Sequence, residues 1–270
     1  MPELPEVETV RRDLARELEG AVVGDVEVTG ARSVRRNDPR AFRRALRGAS
    51  FTSFGRHGKY LLIGLDRDRV LVAHLRMSGQ LLLGPADAAL AKHTHVRMTL
   101  TDGRELRFVD PRTFGELFVT SPDLPELAGL GVDALALDRA GLGALLAARR
   151  ARLKPLLLDQ RVVAGIGNIY SDEILWTARL RWSRPAGRLR PAEVGRLHDA
   201  VASVLGEAVE RRGSSLADAQ YVDLTGRPGS YQESHRVYAR AGLPCPRCGR
   251  EIERTVVAQR SHFWCRTCQR

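Results

Sequence analysis

The chain has 270 residues, of which 43% are hydrophobic and 28% charged, as in a folded globular protein of one large or two modest domains. No apolar stretch approaches the ~18 residues of a membrane span, and the acidic start lacks the basic and apolar regions of a signal peptide. A net charge of +11 favours a polyanionic partner, with nucleic acid ahead of an anionic membrane surface. The alternative to a polyanionic partner is that the charge serves only to keep the surface soluble. The expected location is the cytoplasm.

The chain begins MPELPEVETVRR, which places two prolines and three glutamates in its first eight residues. Apolar residues then recur at helical spacing: Val7, Val10, Leu14 and Leu18. This pattern predicts a helix from about Pro5 to Glu19, closed by Gly20. The positive end of its dipole would point toward Pro2 and Glu3.

Strand patterns follow as far as about residue 120. In HVRMTLTDGRELRFVD the apolar residues alternate up to Asp102-Gly103 and away from it again, which predicts a β-hairpin. Residues 121–135 are rich in proline and glycine and mark a domain boundary. We therefore expect an α+β protein with domains at residues 1–130, 131–236 and 237–270.

Residues 139–212 show several helical segments, and AGIGNIY marks a tight turn between two of them. Glycines allow a backbone to approach a phosphate closely, although a single G-x-G also commonly ends a helix. Lys154 precedes this turn in a basic run, and it is one of only three lysines, beside Lys59 and Lys92. Residues 213–236 have the composition of a long loop.

The four cysteines are arranged as two C-x2-C pairs: Cys245 and Cys248, then Cys265 and Cys268. Paired knuckles at this separation are typical of a tetrahedral zinc site, and four thiolates leave no open position for water, so the expected zinc is structural. Disulfides are the alternative. Arg260 lies near the tip of a predicted hairpin between the pairs, where it can contact a phosphate or simply be solvated.

The start of the chain can also carry chemistry. If Met1 is removed, Pro2 becomes a secondary amine that can attack a sugar aldehyde carbon and form an iminium ion suited to β-elimination. Glu3 beside it could transfer protons. The alternative is purely structural, because Pro5 and the neighbouring acids are also good residues for starting a helix.

Six motifs occur in an order that resembles the bacterial formamidopyrimidine-DNA glycosylases. They are PELPEVETVRR at the start, GKYLL at 58–62, HLRMSG at 74–79, DPRTFG at 110–115, GIGNIY at 165–170, and the C-x2-C pairs. The resemblance extends over essentially the whole chain. It implies an N-terminal β-sandwich flanked by helices and a C-terminal helix-two-turn-helix domain with a four-cysteine zinc finger.

The resemblance also implies an activity. Such enzymes remove oxidised purines, chiefly 8-oxoguanine and formamidopyrimidines, from duplex DNA and cut the strand at the abasic site by β,δ-elimination. One structural Zn²⁺ and no catalytic cofactor are expected. The enzyme would be a monomer in the bacterial cytoplasm, associated with the nucleoid when bound to DNA.

Site residues follow from the motifs that match. The resemblance implies that Pro2 is the nucleophile, Glu3 the proton donor and Lys59 the catalytic lysine. The resemblance implies phosphate contacts from His74, Asn168 and Arg260. It implies intercalation between the bases by Met77, Arg112 and Phe114. We also expect DNA contacts from Glu6, near the everted nucleotide, and from Lys154. Outside this context, Met77 and Phe114 would be read as core residues.

The sequence departs from the family pattern at Arg76, where glycine is common, and at Thr113, where a second basic residue is common. The segment 213–236, which corresponds to the loop that closes over the flipped base, does not align clearly. Two alternatives therefore stay open: an endonuclease VIII-type glycosylase for oxidised pyrimidines, and a non-catalytic zinc-containing DNA-binding protein. Leu4 and the intercalating residues argue against the first, and Pro2, Glu3 and Lys59 against the second.

Overall fold

The structure, a computed structural model, describes residues 1–216 and 221–270 and divides into two compact units. Unit 1 contains Met1–Ala128 and Arg211–Ser230, and unit 2 contains Gly129–Glu210 and Tyr231–Arg270. Helices and strands occur in both units, so the fold is of the predicted α+β class.

The division into units differs from the predicted domain ranges in two respects: residues 237–270 belong to the same unit as the helices before them, and residues 211–230 do not. Residues 211–230 pack with the amino-terminal half of the chain rather than with the helices that precede them. Long-range side-chain contacts cause this, and one of them joins the Arg212 guanidinium to Asp13 in the first helix. The predicted loop 213–236 includes residues 217–220, which lie outside the described residues.

Unit 1 begins with helix α1 (Leu4–Leu18) and also contains α2 (Pro39–Leu46). Its strands are β1 (Val23–Val28), β2 (Phe51–His57), β3 (Tyr60–Leu65), β4 (Arg69–His74), β5 (Gln80–Pro85), β6 (Thr94–Leu100), β7 (Arg104–Val109) and β8 (Glu116–Thr120). In the described part of this unit they form two antiparallel sheets, ordered β1-β6-β7-β5 and β2-β3-β4-β8.

Both sheets contribute to one hydrophobic core. The apolar stripe of α1 is buried in it, as the helical spacing predicted. The predicted hairpin is the β6–β7 pair, in which Met98 lies opposite Leu106 and Val96 opposite Phe108, with all four side chains buried. The two sheets therefore enclose a common apolar layer, the arrangement of a β-sandwich.

Unit 2 is mainly helical. Its helices are α3 (Arg139–Ala147), α4 (Leu153–Leu158), α5 (Asn168–Thr177) and α6 (Pro191–Glu210). Its strands are β9 (Val132–Asp133) and β10 (Val163–Ala164), which pair in parallel, and β11 (Glu253–Val257) and β12 (Arg260–Trp264), which form an antiparallel hairpin. Short 3-10 turns occur in the chain at Ala31–Val34, Pro125–Leu127, Ala186–Arg188 and Tyr231–Ser234.

Helix α5 is the centre of unit 2. It packs against α6 and against strand β12, and its Trp176 joins Val237 and Ile252 in a small core beside two of the cysteines. Almost every side chain of α5 is buried, including the acids Asp172 and Glu173. Within the described residues, no helix is long and apolar enough to cross a membrane.

Candidate nucleophile, nucleic-acid interface and zinc site

The predicted nucleophile and proton donor lie directly before α1. Pro2 and Glu3 are both buried, whereas Met1 in front of them is 42% exposed. Glu3 is the N-cap residue of the helix, and its backbone N–H donates to Glu6 Oε2 at 2.7 Å. The helix cap is made by Glu3 and Glu6 and does not use Pro2. Once Met1 is removed, the nitrogen of Pro2 is the amino terminus, so capping of the helix and the proposed chemistry are compatible.

Glu6 connects the start of the chain to the segment after α6. Its other oxygen, Oε1, accepts the backbone N–H of Ser214 at 2.8 Å. Gly213 has φ +78°, and a Cβ there would lie 2.7 Å from Glu6 Cγ, so glycine is required at this position. The predicted DNA contact at Glu6 thus coincides with a buried carboxylate that is already bonded to two backbone N–H groups.

Lys59 and His74 lie together at one end of the β2-β3-β4 sheet. Lys59 is buried in the turn between β2 and β3, and the His74 ring meets the Tyr60 ring edge-on at 4.4 Å between centroids. Burial, with the charges of Arg76 and Lys59, lowers the pKa of His74 to about 3. Its Nδ1 accepts the Arg76 backbone N–H at 2.9 Å, so we assign the ring hydrogen to Nε2. His74 is therefore suited to donate to a phosphate as a neutral group.

The depressed pKa of His74 has a consequence for stability. Between pH 6.5 and 3 the unfolded chain binds a proton at this residue that the folded chain does not, so its contribution to the free energy of unfolding falls as pH drops. Each pH unit should cost up to about 1.4 kcal/mol. In urea unfolding at pH 7, 5.5 and 4.5, His74→Gln should lose less stability than the wild-type chain. Parallel losses would contradict the assignment.

The three predicted intercalating residues lie on two loops of unit 1. Met77 is 38% and Phe114 41% exposed, which is unusual for large apolar side chains, and the Arg112 guanidinium stacks over the Phe114 ring at 5.0 Å. Met77 is in the turn between β4 and β5, and the other two lie between β7 and β8. Exposed apolar wedges beside a guanidinium fit insertion between bases.

The two departures from the family pattern lie on these same loops. Arg76 and Thr113 both have φ +53°, in the left-handed region that glycine adopts without strain. Glycine at position 76 would therefore be free of this strain. Here the Arg76 guanidinium donates to Glu116 at 2.9 Å instead.

In unit 2, Asn168 and Arg260 are brought near one another. Gly167 is the N-cap residue of α5 and Asn168 its first residue, and Asn168 Nδ2 donates to the Ser261 carbonyl at 3.0 Å. Arg260 is exposed at the start of β12. The glycine-rich turn therefore contacts the β11–β12 hairpin directly beside Arg260 within this unit.

Lys154 does not lie at the surface. It is fully buried, and its ammonium is paired with Asp172, which also accepts from His262 Nδ1 at 2.5 Å and the Phe263 N–H at 2.9 Å. The prediction that Lys154 contacts DNA rested on its place in a basic run, whereas in the structure its ammonium is buried beside an acid. The packing of α4 on α5 turns the side chain inward, where it links these helices to the β11–β12 hairpin.

Sequence reasoning also missed Glu173. This fully buried carboxylate accepts the backbone N–H groups of Arg236, Val237 and Tyr238 at 2.8–2.9 Å. Burial raises the pKa of Glu173 above its usual value. The available signal was the pair Asp172-Glu173 inside the otherwise apolar stretch IYSDEILW, because acids at apolar helix positions need buried partners.

The four cysteines form one cluster. Their sulfur atoms all lie within 4.8 Å of one another, at 3.5 Å for Cys248 and Cys265 and 3.9 Å for Cys245 and Cys268. Sulfurs bound tetrahedrally to zinc at ~2.3 Å are ~3.8 Å apart, whereas a disulfide needs ~2.05 Å. All four cysteines are free, so the cluster fits one structural Zn²⁺. Trp176 Nε1–H donates to Cys245 Sγ at 3.4 Å.

Three family models match the chain. They describe the formamidopyrimidine-DNA glycosylase N-terminal domain over residues 1–117, the formamidopyrimidine-DNA glycosylase H2TH domain over 130–220, and a zinc finger found in FPG and IleRS over 242–270. The formamidopyrimidine-DNA glycosylase of Moorella thermoacetica is 47% identical over 260 residues, which cover 94% of each chain.

Solved structures match along the same length. MutM (Fpg) from Thermus thermophilus aligns with a TM-score of 0.87 and 42% identity over 99% of this chain and 98% of that one. Lactococcus lactis Fpg in complex with DNA containing an abasic site aligns with a TM-score of 0.90 and 35% identity over 99% of each chain.

Proposed function

The chain belongs to the formamidopyrimidine-DNA glycosylase family, and we propose that it excises oxidised purines from duplex DNA and then cleaves the strand as an AP lyase. It is a DNA glycosylase of base excision repair. The substrates proposed are 8-oxoguanine and formamidopyrimidines, and the place of action is the DNA of a bacterial cytoplasm, where the enzyme works as a monomer. One observation carries the proposal: Pro2 and Glu3 stand together directly before α1.

The proposed reaction uses the Pro2 amine as the nucleophile. Its lone pair forms a bond to C1′ of the damaged nucleotide as the bond from C1′ to the base breaks, and the proton of the amine passes to the departing base. Glu3 then gives its proton to the ring oxygen as the bond from C1′ to that oxygen breaks and the sugar opens. The resulting iminium ion has no N–H proton to lose, so it cannot become a neutral imine. It therefore makes the C2′ proton acidic: loss of that proton expels the 3′ phosphate by β-elimination, and loss of a proton from C4′ then expels the 5′ phosphate by δ-elimination.

DNA binding would place phosphates and bases against separate groups of residues. Lys59 and His74 would contact phosphate in unit 1, and Asn168 and Arg260 in unit 2. Flipping the nucleotide out of the stack costs a few kcal/mol, and the Met77 and Phe114 side chains would fill the gap while Arg112 bonds the unpaired base. The segment 213–236 would cap the flipped base, and residues 217–220 of it lie outside the described residues.

Borohydride trapping tests the proposed function and separates it from the alternatives. The protein is mixed with duplexes that carry either 8-oxoguanine or thymine glycol, and borohydride reduces the iminium ion to a permanent covalent bond. We expect trapping mainly on 8-oxoguanine. Trapping mainly on thymine glycol would indicate the pyrimidine-specific branch, and DNA binding without trapping on either duplex would indicate a binding protein.

A further inference from the structure

Two buried carboxylates join the loops that carry the proposed intercalating residues. We call residues 75–79, between β4 and β5, the Met77 loop, and residues 110–115, between β7 and β8, the Phe114 loop. Asp110 and Glu116 stand at the two ends of the Phe114 loop, and both are 0–1% exposed. Neither residue has a part in the proposed catalytic reaction.

Asp110 bonds to both loops at once. Its Oδ1 accepts the Ser78 hydroxyl at 2.5 Å from the Met77 loop and the Arg112 backbone N–H at 3.2 Å from its own loop. Its Oδ2 accepts the Gly115 N–H at 2.6 Å. One side chain therefore fixes the residue after Met77 and the residue after Phe114.

Glu116 makes the same connection through arginines. It pairs with Arg76 and Arg36, each at 2.9 Å, and with Arg35 at 3.3 Å. Arg35 in turn donates to the carbonyls of Phe114 at 3.4 Å and Gly115 at 3.5 Å. The residue before Met77 and the carbonyl of Phe114 are thus held by one carboxylate network.

The network also accounts for the unusual residue at position 76. An L-residue at φ +53° is strained, whereas glycine adopts this φ freely. Burial opposes the charge on Glu116, but hydrogen bonds and charge from Arg36 and Arg76 outweigh it and keep its pKa below the usual value. The ion pair between Arg76 and the buried, charged Glu116 offsets the backbone strain at position 76. It also fixes the conformation of the Met77 loop at a position where glycine would be flexible.

We infer that Asp110 and Glu116 are positioning residues that hold Met77, Arg112 and Phe114 in one register, and that they thereby set the preference for the base opposite the lesion. The inference rests on the proposed function. Arg112 can discriminate between cytosine and adenine only if its guanidinium is fixed relative to the two wedges, because hydrogen bonds to a base edge are directional.

The test compares Glu116→Gln and Asp110→Asn with Glu105→Gln. Glu105 is a matched control, because it is a fully buried carboxylate in the same unit whose partners, Arg97 and Arg107, lie on β6 and β7 rather than on either loop. The measurement is kcat/KM on 8-oxoguanine opposite cytosine and opposite adenine. We expect the ratio of the two values to fall about 10-fold in the first two variants, about 1.4 kcal/mol of discrimination, and to stay unchanged in Glu105→Gln.

Arg76→Gly keeps the inference testable if the carboxylate variants fold poorly. Glycine relieves the positive φ, so unfolding stability should be kept or raised, while loss of the Arg76 bond should lower the discrimination ratio about 3-fold. If the network only stabilised the fold, the discrimination ratio would fall only in variants whose free energy of unfolding also falls. Unchanged ratios in Glu116→Gln, Asp110→Asn and Arg76→Gly would overturn the inference, whereas a wild-type chain that fails to trap on 8-oxoguanine would instead overturn the proposed function.

Discussion

Protein that keeps a tag ahead of Met1 should form no borohydride-stable adduct with abasic-site duplex DNA, whereas protein that begins at Pro2 should form one readily. In the tagged chain the nitrogen of Pro2 is an amide, whose lone pair is delocalised and cannot attack C1′. We expect the rate of strand cleavage to fall at least about 1,000-fold, the scale of a lost covalent catalyst. Mass spectrometry of the first residue and gel analysis of the adduct give the result.

Two variants complete this experiment. Pro2→Gly keeps an amine but a primary one, whose imine can lose its proton and its charge, so we expect slow and weak trapping rather than none. Lys59→Arg, with Pro2 free, should still trap because the proline amine remains. If the tagged protein traps normally and Lys59→Arg abolishes the adduct, the nucleophile is the side-chain amine of Lys59 and the assignment of Pro2 is wrong.

Removal of zinc should unfold the carboxy-terminal hairpin and abolish tight DNA binding. Structural zinc contributes about 10 kcal/mol or more in small modules of this kind. The β11–β12 hairpin has few apolar side chains of its own, and its Val256 is exposed. With the metal gone, the contacts of His262 and Phe263 with Asp172 would open, and the buried Lys154 ammonium would lose part of the network that surrounds it.

The measurement is metal content, protease cleavage within residues 242–270 and DNA affinity, each before and after treatment with a chelator. Re-addition of Zn²⁺ should restore all three. A reductant without chelator is the control, because it would break disulfides and leave a zinc-thiolate site intact. Unchanged protease resistance and affinity in metal-free protein would refute a structural role for zinc.

Local pattern predicted the elements whose geometry repeats along the chain. The stripe from Val7 to Leu18 predicted α1 within one residue at each end, and alternation around Asp102-Gly103 predicted the β6–β7 hairpin. The spacing of the cysteines predicted a cluster that the structure contains. In each case the partners are close in sequence or chemically specific, so the pattern carries the information.

Contacts between distant segments could not be predicted in this way. Lys154 looks like a surface cation in its basic run, and only the packing of α4 on α5 shows that it pairs with Asp172. Glu116 looks like an ordinary strand residue until β8 pairs with β4 and places it opposite His74, beside the loop that contains Arg76. A charge pattern gives the residues that are available, but the tertiary fold decides which of them meet.

The membership of residues 211–230 in unit 1 has a consequence for the order of synthesis. The guanidinium of Arg212 pairs with Asp13, and the Ser214 N–H donates to Glu6. In each case the two partners are some two hundred residues apart in the sequence. After Ala128 has been added, the ribosome must still add about 100 residues before it reaches Ser230. Synthesis runs at roughly 5–20 residues per second, so this takes several seconds or longer. On the ribosome, the sheets of unit 1 therefore wait for seconds, with the acids of α1 lacking these partners, while the helices of unit 2 are translated.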